Sequence, residues 1–307
     1  MATTIPLRVD RASVESRQVA TGLWEDAWYR LRRDRLTLAA GGVLIALAAL
    51  ALAAPLFAEH VFKMRYEQQD LLNTYSTPTL DPPAYLLGSD EIGRSQVVRL
   101  LYGGQVSLGI GFASALVTMT LGVFLGLVSG YYRGLLDDVL TALITTLQSI
   151  PTLPLLLIIS ALFGPSPLML VIVIALLLWT GVTLFVRGQT FSLREREFVR
   201  AAQAIGATPS RLIVKHILPN VFPLIFTLAA IQIGGIILAE SALSFLGLGV
   251  MPPTPSWGNM LTNAAQYFVR AWWLVVSPGL MIFLTVLCLF LVGDGLRDAL
   301  DPRLKSK

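Results

Sequence analysis

Long runs of uncharged, mostly apolar residues alternate along the chain with shorter polar segments. Five of these runs cover residues 36–58, 100–132, 139–186, 217–239 and 271–293. The third run has 48 residues, and as one straight helix it would measure about 72 Å, more than twice the roughly 30 Å hydrocarbon core of a bilayer. It must therefore turn back, and the Gly and Pro residues of FGPSP (163–167) provide the turn. The pattern predicts an all-α, polytopic membrane protein with six transmembrane helices.

Composition supports a membrane location. Hydrophobic residues make up 55% of the 307 and charged residues only 14%, whereas about 25% charged is usual in soluble domains. The run 36–58 is too long for the apolar core of a cleaved secretory signal, so it is expected to remain as the first transmembrane helix. The single cysteine, Cys288, lies in an apolar run, and His60 and His216 are far apart. Neither a disulfide framework nor a metal site is expected.

The distribution of Lys and Arg predicts the orientation. With the N-terminus in the cytoplasm, 18 of the 23 basic residues fall in cytoplasmic segments, in agreement with the positive-inside rule. Both termini are therefore expected in the cytoplasm of a multi-pass protein of the cell (inner or plasma) membrane. The predicted parts are a cytoplasmic N-terminal segment (1–35), a first transmembrane helix (36–58), an extracytoplasmic loop (59–99), a five-helix core (100–296) that contains a cytoplasmic loop (188–217), and a cytoplasmic tail (297–307).

Three glycines recur at four-residue spacing in the second apolar run. Gly122, Gly126 and Gly130 would lie on one face of a helix, where small residues allow a second backbone to approach closely. Glycine is also simply common in membrane helices. We favour a role in helix packing, which shapes the architecture and carries no chemistry.

The cytoplasmic segment FVRAAQAIGATPSRLIVKHILPN (198–220) reads as two short helices joined by a bend. Good helix formers fill 195–205, and Gly206 is placed to end that helix in the left-handed conformation. Thr208 can cap a second helix whose first residue is Pro209, where the missing N–H costs nothing. The second helix then leads into the fifth span. A small, bent hairpin is therefore predicted at the membrane surface.

This hairpin has three possible roles: a plain connector, a DNA reader or a docking element for a soluble partner. Ala201, Ala202 and Ala204 keep one helix face small, which suits insertion into a groove of another protein. The first helix is poor in side chains that read base edges, and the second runs into the membrane, which makes docking in a DNA groove awkward. Nucleic acid is not an expected partner.

A few polar and aromatic side chains near the membrane are candidates for function. Glu240 ends the fifth span, and a carboxylate at membrane depth is a functional hypothesis by default. It could instead reach outer headgroups or cap a neighbouring helix. For Arg133 and Arg187, at inner span ends, snorkelling to lipid phosphates is favoured over pore lining. The Pro-rich PPTPSWGN (252–259) is expected as a rigid outer loop, and an interfacial aromatic belt is expected from Trp257, Tyr267, Trp272 and Trp273.

No catalytic motif is present in the sequence. A phosphate-binding loop needs Gly-Lys followed by Ser or Thr, and no lysine of this chain follows a glycine. The sequence contains neither a His-Glu-x-x-His motif nor a Gly-x-Ser-x-Gly elbow. The chain is not expected to be an enzyme by itself.

The segment RAAQAIGATPSRLIVKHILP resembles the EAA motif of binding-protein-dependent ABC importer permeases. Arg200, Ala201 and Ala202 occupy the Glu-Ala-Ala positions, Gly206 the glycine, and 218–219 the terminal Leu-Pro. Other blocks are similar to the C-type subunit of dipeptide, oligopeptide and nickel permeases: LGSDEIGRS (87–95), LLYGGQVSLGIG (100–111), SALSFLGLGVMPPTPSWGNML (241–261) and GDGLRDALDPRL (293–304). The resemblance extends from about residue 36 to the end.

The resemblance implies the permease of a type I ABC importer. In that family the cytoplasmic hairpin is a coupling helix seated in a cleft of an ATPase subunit, and the positions it implies here are Arg200, Ala201, Ala202, Gly206, Ala207 and Arg211. It implies a second, paralogous permease subunit, two ATPases that bind ATP and Mg, and an extracytoplasmic substrate-binding protein, with no cofactor in this subunit. Peptides are the leading cargo; nickel complexes or other small solutes come second.

Two departures from the family pattern stand out. Arg200 replaces the usual glutamate, which predicts either a carboxylate opposite it on the partner or a side chain that faces solvent. The segment TALITTLQSIP (141–151) lacks the Arg and Asp that commonly precede this proline, so Gln148 is its polar group. Gln148 and Glu240 are the candidates for a pore or gate.

An ion-coupled secondary carrier is the alternative from a different class. Such carriers normally place carboxylates deep in several spans. Only Glu240 qualifies here, and it lies near one end of its span. ATP dependence of uptake would distinguish the two classes.

Overall fold

A computed structural model describes residues 23–164 and 166–300. Residues 1–22 of the predicted N-terminal segment, Pro165 of the predicted turn and residues 301–307 of the predicted tail lie outside the described residues. The α-helices are α1 (Leu23–Leu31), α2 (Arg35–Leu52), α3 (Ala54–Leu56), α4 (Gln96–Tyr132), α5 (Leu135–Gln148), α6 (Thr152–Phe163), α7 (Pro167–Arg194), α8 (Glu197–Ala204), α9 (Pro209–Leu212), α10 (Leu218–Phe245), α11 (Ala264–Tyr267) and α12 (Trp273–Leu300).

Shorter helical turns complete the secondary structure of the described part. Single π-helical turns cover Phe57–Val61 and Ile213–Ile217, and 3₁₀ turns cover Leu71–Asn73, Pro83–Tyr85 and Asn259–Leu261. The first predicted span, 36–58, is a regular helix only to Leu52, and α3 follows with Pro55 at its start. Proline has no N–H to donate to the preceding turn, which accounts for the interruption.

The membrane helices follow the apolar runs, with one correction. α2, α4, α7, α10 and α12 are each long and apolar enough to cross a bilayer. The predicted third span is wrong as a single helix, because α5 and α6 meet at an 85° bend. Counting this bent pair as one span makes six. The predicted turn after it is present: α6 ends at Phe163, Gly164 has φ +82°, and Pro167 begins α7.

α4 and α7 pack backbone against backbone along the three spaced glycines. A Cβ added at Gly126 would lie 2.8 Å from the carbonyl oxygen of Thr183, and one at Gly130 would lie 2.8 Å from that of Arg187. A Cβ at Gly122 would come within 2.6 Å of Val182. Only glycine fits at such distances. The face predicted for helix packing is therefore the face that contacts α7.

α4 is longer than a bilayer-spanning helix needs to be. Its 37 residues correspond to about 56 Å, so the helix extends well beyond a hydrocarbon core. Its first turn begins after Ser95, whose hydroxyl accepts a hydrogen bond from the N–H of Val98 at 3.3 Å. Its last residue, Tyr132, is followed by Arg133 and Gly134, both with positive φ. One end of α4 therefore adjoins the segment before residue 96, and the other adjoins the predicted hairpin.

Candidate coupling site and transport path

The predicted hairpin consists of α8, a bend and α9. Gly206 has φ +88° with no atom within 4 Å of an added Cβ, so this residue is needed for its backbone conformation rather than for space. The N–H of Ala207 donates to the carbonyl of Ala202 at 3.1 Å, which closes the end of α8. Thr208 occupies the N-cap position of α9 but makes no side-chain cap hydrogen bond. The bend lies where the sequence predicts it.

The hairpin has one face packed and one face free. Val199, Ala202 and Leu212 are at most 8% exposed and pack with Val186 and Ile217 in the core that α4, α7 and α10 share. Ala202, predicted to contact a partner, faces this core instead, because helix periodicity turns it away from Ala201. Its small size allows close packing of the hairpin on the membrane helices.

The free face carries the other predicted coupling residues. Ala201, Gly206 and Arg211 are exposed, and Ala207 is half-buried. Ile205, at the tip of the bend, is 87% exposed. Ile205 therefore adds an apolar side chain to the exposed face of the hairpin. Sequence analysis missed Ile205, although its position directly before the left-handed glycine was the available signal.

A continuous helical path joins the hairpin to a membrane span. α9, the π turn Ile213–Ile217 and α10 form one helix of 37 residues, Pro209–Phe245. The π turn contains Ile217, which is fully buried. Displacement of the hairpin would therefore move the end of this span directly.

Arg200 finds its carboxylate within this chain. Glu195 accepts hydrogen bonds from the guanidinium of Arg200 and from Nη2 of Arg133, the latter at 2.7 Å. Arg133 also lies over the ring of Phe191 at 3.9 Å. The hydrogen bond from Arg200 is the main reason that the pKa of Glu195 is lowered. Arg200 thus has a carboxylate within the chain while its side chain is 66% exposed, in agreement with the solvent-facing alternative. Arg133 is ion-paired to the same carboxylate, and its contact with lipid phosphate stays a prediction.

Arg187 is paired as well. Its Nε and Nη2 lie 2.5 and 2.6 Å from the two carboxylate oxygens of Asp137, in the first turn of α5. This bidentate bond ties α5 to α7, and the contact of Arg187 with lipid phosphate stays a prediction. Asp137 was missed in the sequence. The signal was that Asp137 and Asp138 are the sole acids between residues 100 and 194.

The bend between α5 and α6 exposes polar groups between two apolar helices. Gln148 ends α5 with an exposed side chain, whose Nε2 lies 3.4 Å from the hydroxyl of Thr180 on α7. Thr145, Thr146 and Ser149 are also exposed. Non-helical backbone at membrane depth is tolerated where it is covered by protein or lines a water-filled path. The bend is therefore unsuited to face lipid.

Glu240 is fully buried, which excludes the predicted contact with headgroups. Its Oε1 accepts a hydrogen bond from Ser244 at 2.7 Å and its Oε2 accepts one from Ser107 of α4 at 3.0 Å. We call these three residues the Glu240 cluster. Among the described residues, the side chain of Glu240 is enclosed by protein and lines no open path.

The Glu240 cluster holds down the loop 246–261, which we call the Trp257 loop. Ser107 accepts from the N–H of Trp257 at 3.1 Å, and Ser244 accepts from that of Val250 at 2.9 Å. The indole of Trp257 is 2% exposed and donates to the carbonyl of Leu100 at 3.0 Å. Residues 255–259 of the Trp257 loop are thus folded into the protein interior, whereas 251–253 are exposed.

The prediction of an interfacial aromatic belt is therefore wrong for Trp257 and Trp273. Trp257 is buried as described, and Trp273 is 5% exposed with its indole N–H donating to the carbonyl of Ser89. Trp272, its neighbour, is 55% exposed and remains available to an interface. Tertiary contacts, which the local sequence does not display, decided which indole was buried.

Comparison with known proteins gives the family. Residues 122–306 match the model for the binding-protein-dependent transport system inner membrane component, and residues 22–83 match that for the N-terminal TM domain of oligopeptide transport permease C. The chain belongs to this permease family. It is similar to the oligopeptide transport system permease protein OppC of Haemophilus influenzae, with 36% identity over 96% of this chain and 92% of the relative.

Two further relatives have similar coverage. The dipeptide transport system permease protein DppC of Alkalihalophilus pseudofirmus is 35% identical over 95% of this chain and 94% of its own length. The glutathione transport system permease protein GsiD of Pectobacterium atrosepticum is 35% identical over 92% of each. The permease is therefore a multi-pass membrane protein that works in a transport complex with other subunits.

Among its described residues, no group of three His, Cys, Asp or Glu side chains could hold a metal ion.

Proposed function

We propose that this permease forms half of the translocation path of an ATP-driven importer whose cargo is peptides. Relatives named for oligopeptide and dipeptide transport align over nearly the whole chain, which supports this cargo class. Nickel complexes or other small solutes are the second candidate. The complex would contain a second permease subunit, two ATPases carrying ATP and Mg, and an extracytoplasmic binding protein.

The observation that carries the coupling role is the exposed hairpin continuous with α10. The free face around Ala201, Ile205 and Gly206 would sit in a cleft of an ATPase on the cytoplasmic side, the side that the positive-inside rule predicts for both termini. The packed face, through Val199 and Leu212, would make the hairpin move together with the membrane helices. Closure of the two ATPases on ATP would then be converted into a shift of the span.

The bend between α5 and α6 is the proposed lining of the transport path. Exposed amide and hydroxyl groups at Gln148, Thr145 and Ser149 offer hydrogen bonds to a peptide backbone without a fixed charge. Such a neutral surface suits cargoes whose side chains differ. Glu240 would act at the opposite end by fixing the Trp257 loop at the mouth of the path.

Cysteine crosslinking tests the coupling role. Ala201→Cys is expected to crosslink to an ATPase subunit in the assembled transporter, with a yield that changes when ATP is added. Ala202→Cys, the adjacent but buried position, is the matched control and should remain unlinked. If the complex transports at the full rate while the side chain at position 201 contacts only water or lipid and forms no crosslink, the proposal is wrong.

Uptake into proteoliposomes tests the energy source and the cargo. A labelled dipeptide, with the binding protein outside and ATP inside, is expected to accumulate, and ionophores that dissipate ion gradients should leave accumulation intact. Accumulation driven by an ion gradient without ATP would instead identify a secondary carrier.

A further inference from the structure

A cavity of about 320 Å³ lies at the end of α4 opposite the hairpin. Its walls come from the first turn of α4, the segment before it and the Trp257 loop, with Tyr267 and Leu274 closing one side. This volume is in the range of pockets that hold small ligands. Four charged residues line one wall: Asp90, Glu91, Arg94 and Arg99.

Within this charged wall, both carboxylates are committed to Arg94. Its Nε lies 2.6 Å from Oδ2 of Asp90, its backbone N–H donates to Oδ1 at 2.9 Å, and its Nη2 lies 3.3 Å from Glu91. The N–H of Ile92 also donates to Oδ1 of Asp90. The acceptor capacity of Asp90 is therefore used mostly by its own loop.

Arg99 is left without a hydrogen-bonded counter-ion. It is 4% exposed, and Asp90 Oδ2 lies 3.7 Å from its Nε, beyond hydrogen-bonding distance. Its Nη1 is buried and has no hydrogen-bond partner in the described part of the chain. A buried guanidinium with unmet donors is costly, and a planar fork of N–H groups matches a carboxylate.

A neutral donor, the phenol of Tyr267, also lines the cavity. Tyr267 is half-buried, and its pKa is raised, chiefly by burial and then by the negative charge of Glu91. Its phenol therefore remains protonated and can donate a hydrogen bond. The cavity thus combines one undersatisfied cation with an uncharged donor, a set suited to a small anion that also carries polar groups.

We propose that this cavity is a carboxylate-binding site, anchored on Arg99, that receives the C-terminal carboxylate of a peptide on its way into the transport path. The assignment of a peptide as the ligand rests on the proposed function, whereas the assignment of a carboxylate-binding site rests on the residues that line the cavity. Enclosure of Arg99 favours the free end of a small ligand over a side chain on a large docked surface.

Ligand-observed NMR on the purified transporter tests the site without reference to cargo. Saturation transfer to N-acetylglycine is expected for the unaltered protein, and none to N-acetylglycinamide, which lacks the carboxylate. Arg99→Gln should abolish the signal. Arg270→Gln, which removes an exposed arginine outside the cavity, is the control and should retain it. Equal signals for Arg99→Gln and the unaltered protein, or none for either, would overturn the site.

Uptake in proteoliposomes then tests the source of the carboxylate. Arg99→Gln should reduce import of a free-acid dipeptide about tenfold, the effect of losing one charge-assisted hydrogen-bonding pair, and change import of its C-terminal amide less than about twofold. The Arg99→Gln and unaltered transporters use the same binding protein. Its preference for one cargo therefore cancels when the import rate of the variant is divided by that of the unaltered protein for each cargo. If Arg99→Gln lowered the import of the free acid and of the amide equally, Arg99 would have only a structural role, and the peptide carboxylate would not be the ligand of the site. Absence of any peptide import would contradict the proposed function, while the NMR experiment would still decide the site.

Discussion

Two glutamates, one at the hairpin and one in the Glu240 cluster, are held in opposite ways. The side chain of Glu195 is 45% exposed and bridges Arg133 and Arg200. Glu240 is fully buried and accepts hydrogen bonds from serine hydroxyls of α4 and α10. Water can replace the partners of Glu195 but cannot reach those of Glu240. The proposed coupling hairpin is therefore held by ion pairs that solvent can reach, whereas the Trp257 loop is fixed by buried hydrogen bonds.

Glu240→Ala should have the largest effect. It leaves the hydroxyls of Ser107 and Ser244 without their acceptor and opens a cavity, so we expect a loss of about 3 kcal/mol in the free energy of unfolding. Denaturant unfolding of the purified protein measures this loss in the free energy of unfolding. Glu240→Gln keeps the volume and one acceptor, and should cost less and leave uptake nearly intact. Loss of uptake in a stable Glu240→Gln variant would indicate a direct role in transport.

Gly126→Ala tests the rigid connection between the two regions. The added methyl would lie 2.8 Å from the carbonyl oxygen of Thr183, so α4 and α7 must separate, at a cost of about 2 kcal/mol. Gly109→Ala, on the same helix with nothing within 4 Å, is the matched control and should be neutral or slightly stabilising. Equal thermal stability of the two variants would contradict the packing described here.

Gly206→Ala should affect the hairpin without a clash. The φ of +88° costs an alanine about 1 kcal/mol, which favours an altered bend. We expect reduced uptake per ATP hydrolysed, with global stability little changed. Gly206→Asn should be milder, because asparagine tolerates the left-handed conformation. Unchanged coupling in Gly206→Ala would show that the bend is not needed for transmission.

Charge reversal at position 200 should have the smallest effect. Arg200→Glu faces Glu195, so we expect roughly a twofold fall in uptake, restored by a second substitution, Glu195→Gln, which removes the like-charge contact and leaves an amide oxygen to accept from Arg133. Since the folded-state pKa of Glu195 is lowered, the pairing is complete above its ordinary pKa of about 4.3 and is lost on further acidification. Hydrogen exchange of α8 as a function of pH measures this. No recovery in the double variant would indicate that Arg200 acts through a partner subunit.

Most membrane helices and the hairpin could be predicted from local sequence. Apolar runs mark spans because a bilayer excludes charge over a known length, and Gly206 with Pro209 marks a bend through backbone conformation alone. The break at Gln148–Pro151 was not predicted, although Pro151 stood in the sequence. A proline permits a bend in a membrane helix but does not by itself determine its angle, which is 85° here.

The sequence by itself determined the helical class, the family and the position of the hairpin, because these depend on hydropathy, glycine and proline at neighbouring residues. Only the tertiary structure decided which charged and polar side chains are paired. Arg187 meets Asp137 and Ser107 meets Glu240 across separations of 50 and 133 residues. Such partners are chosen by helix packing, which brings together side chains that no local pattern relates.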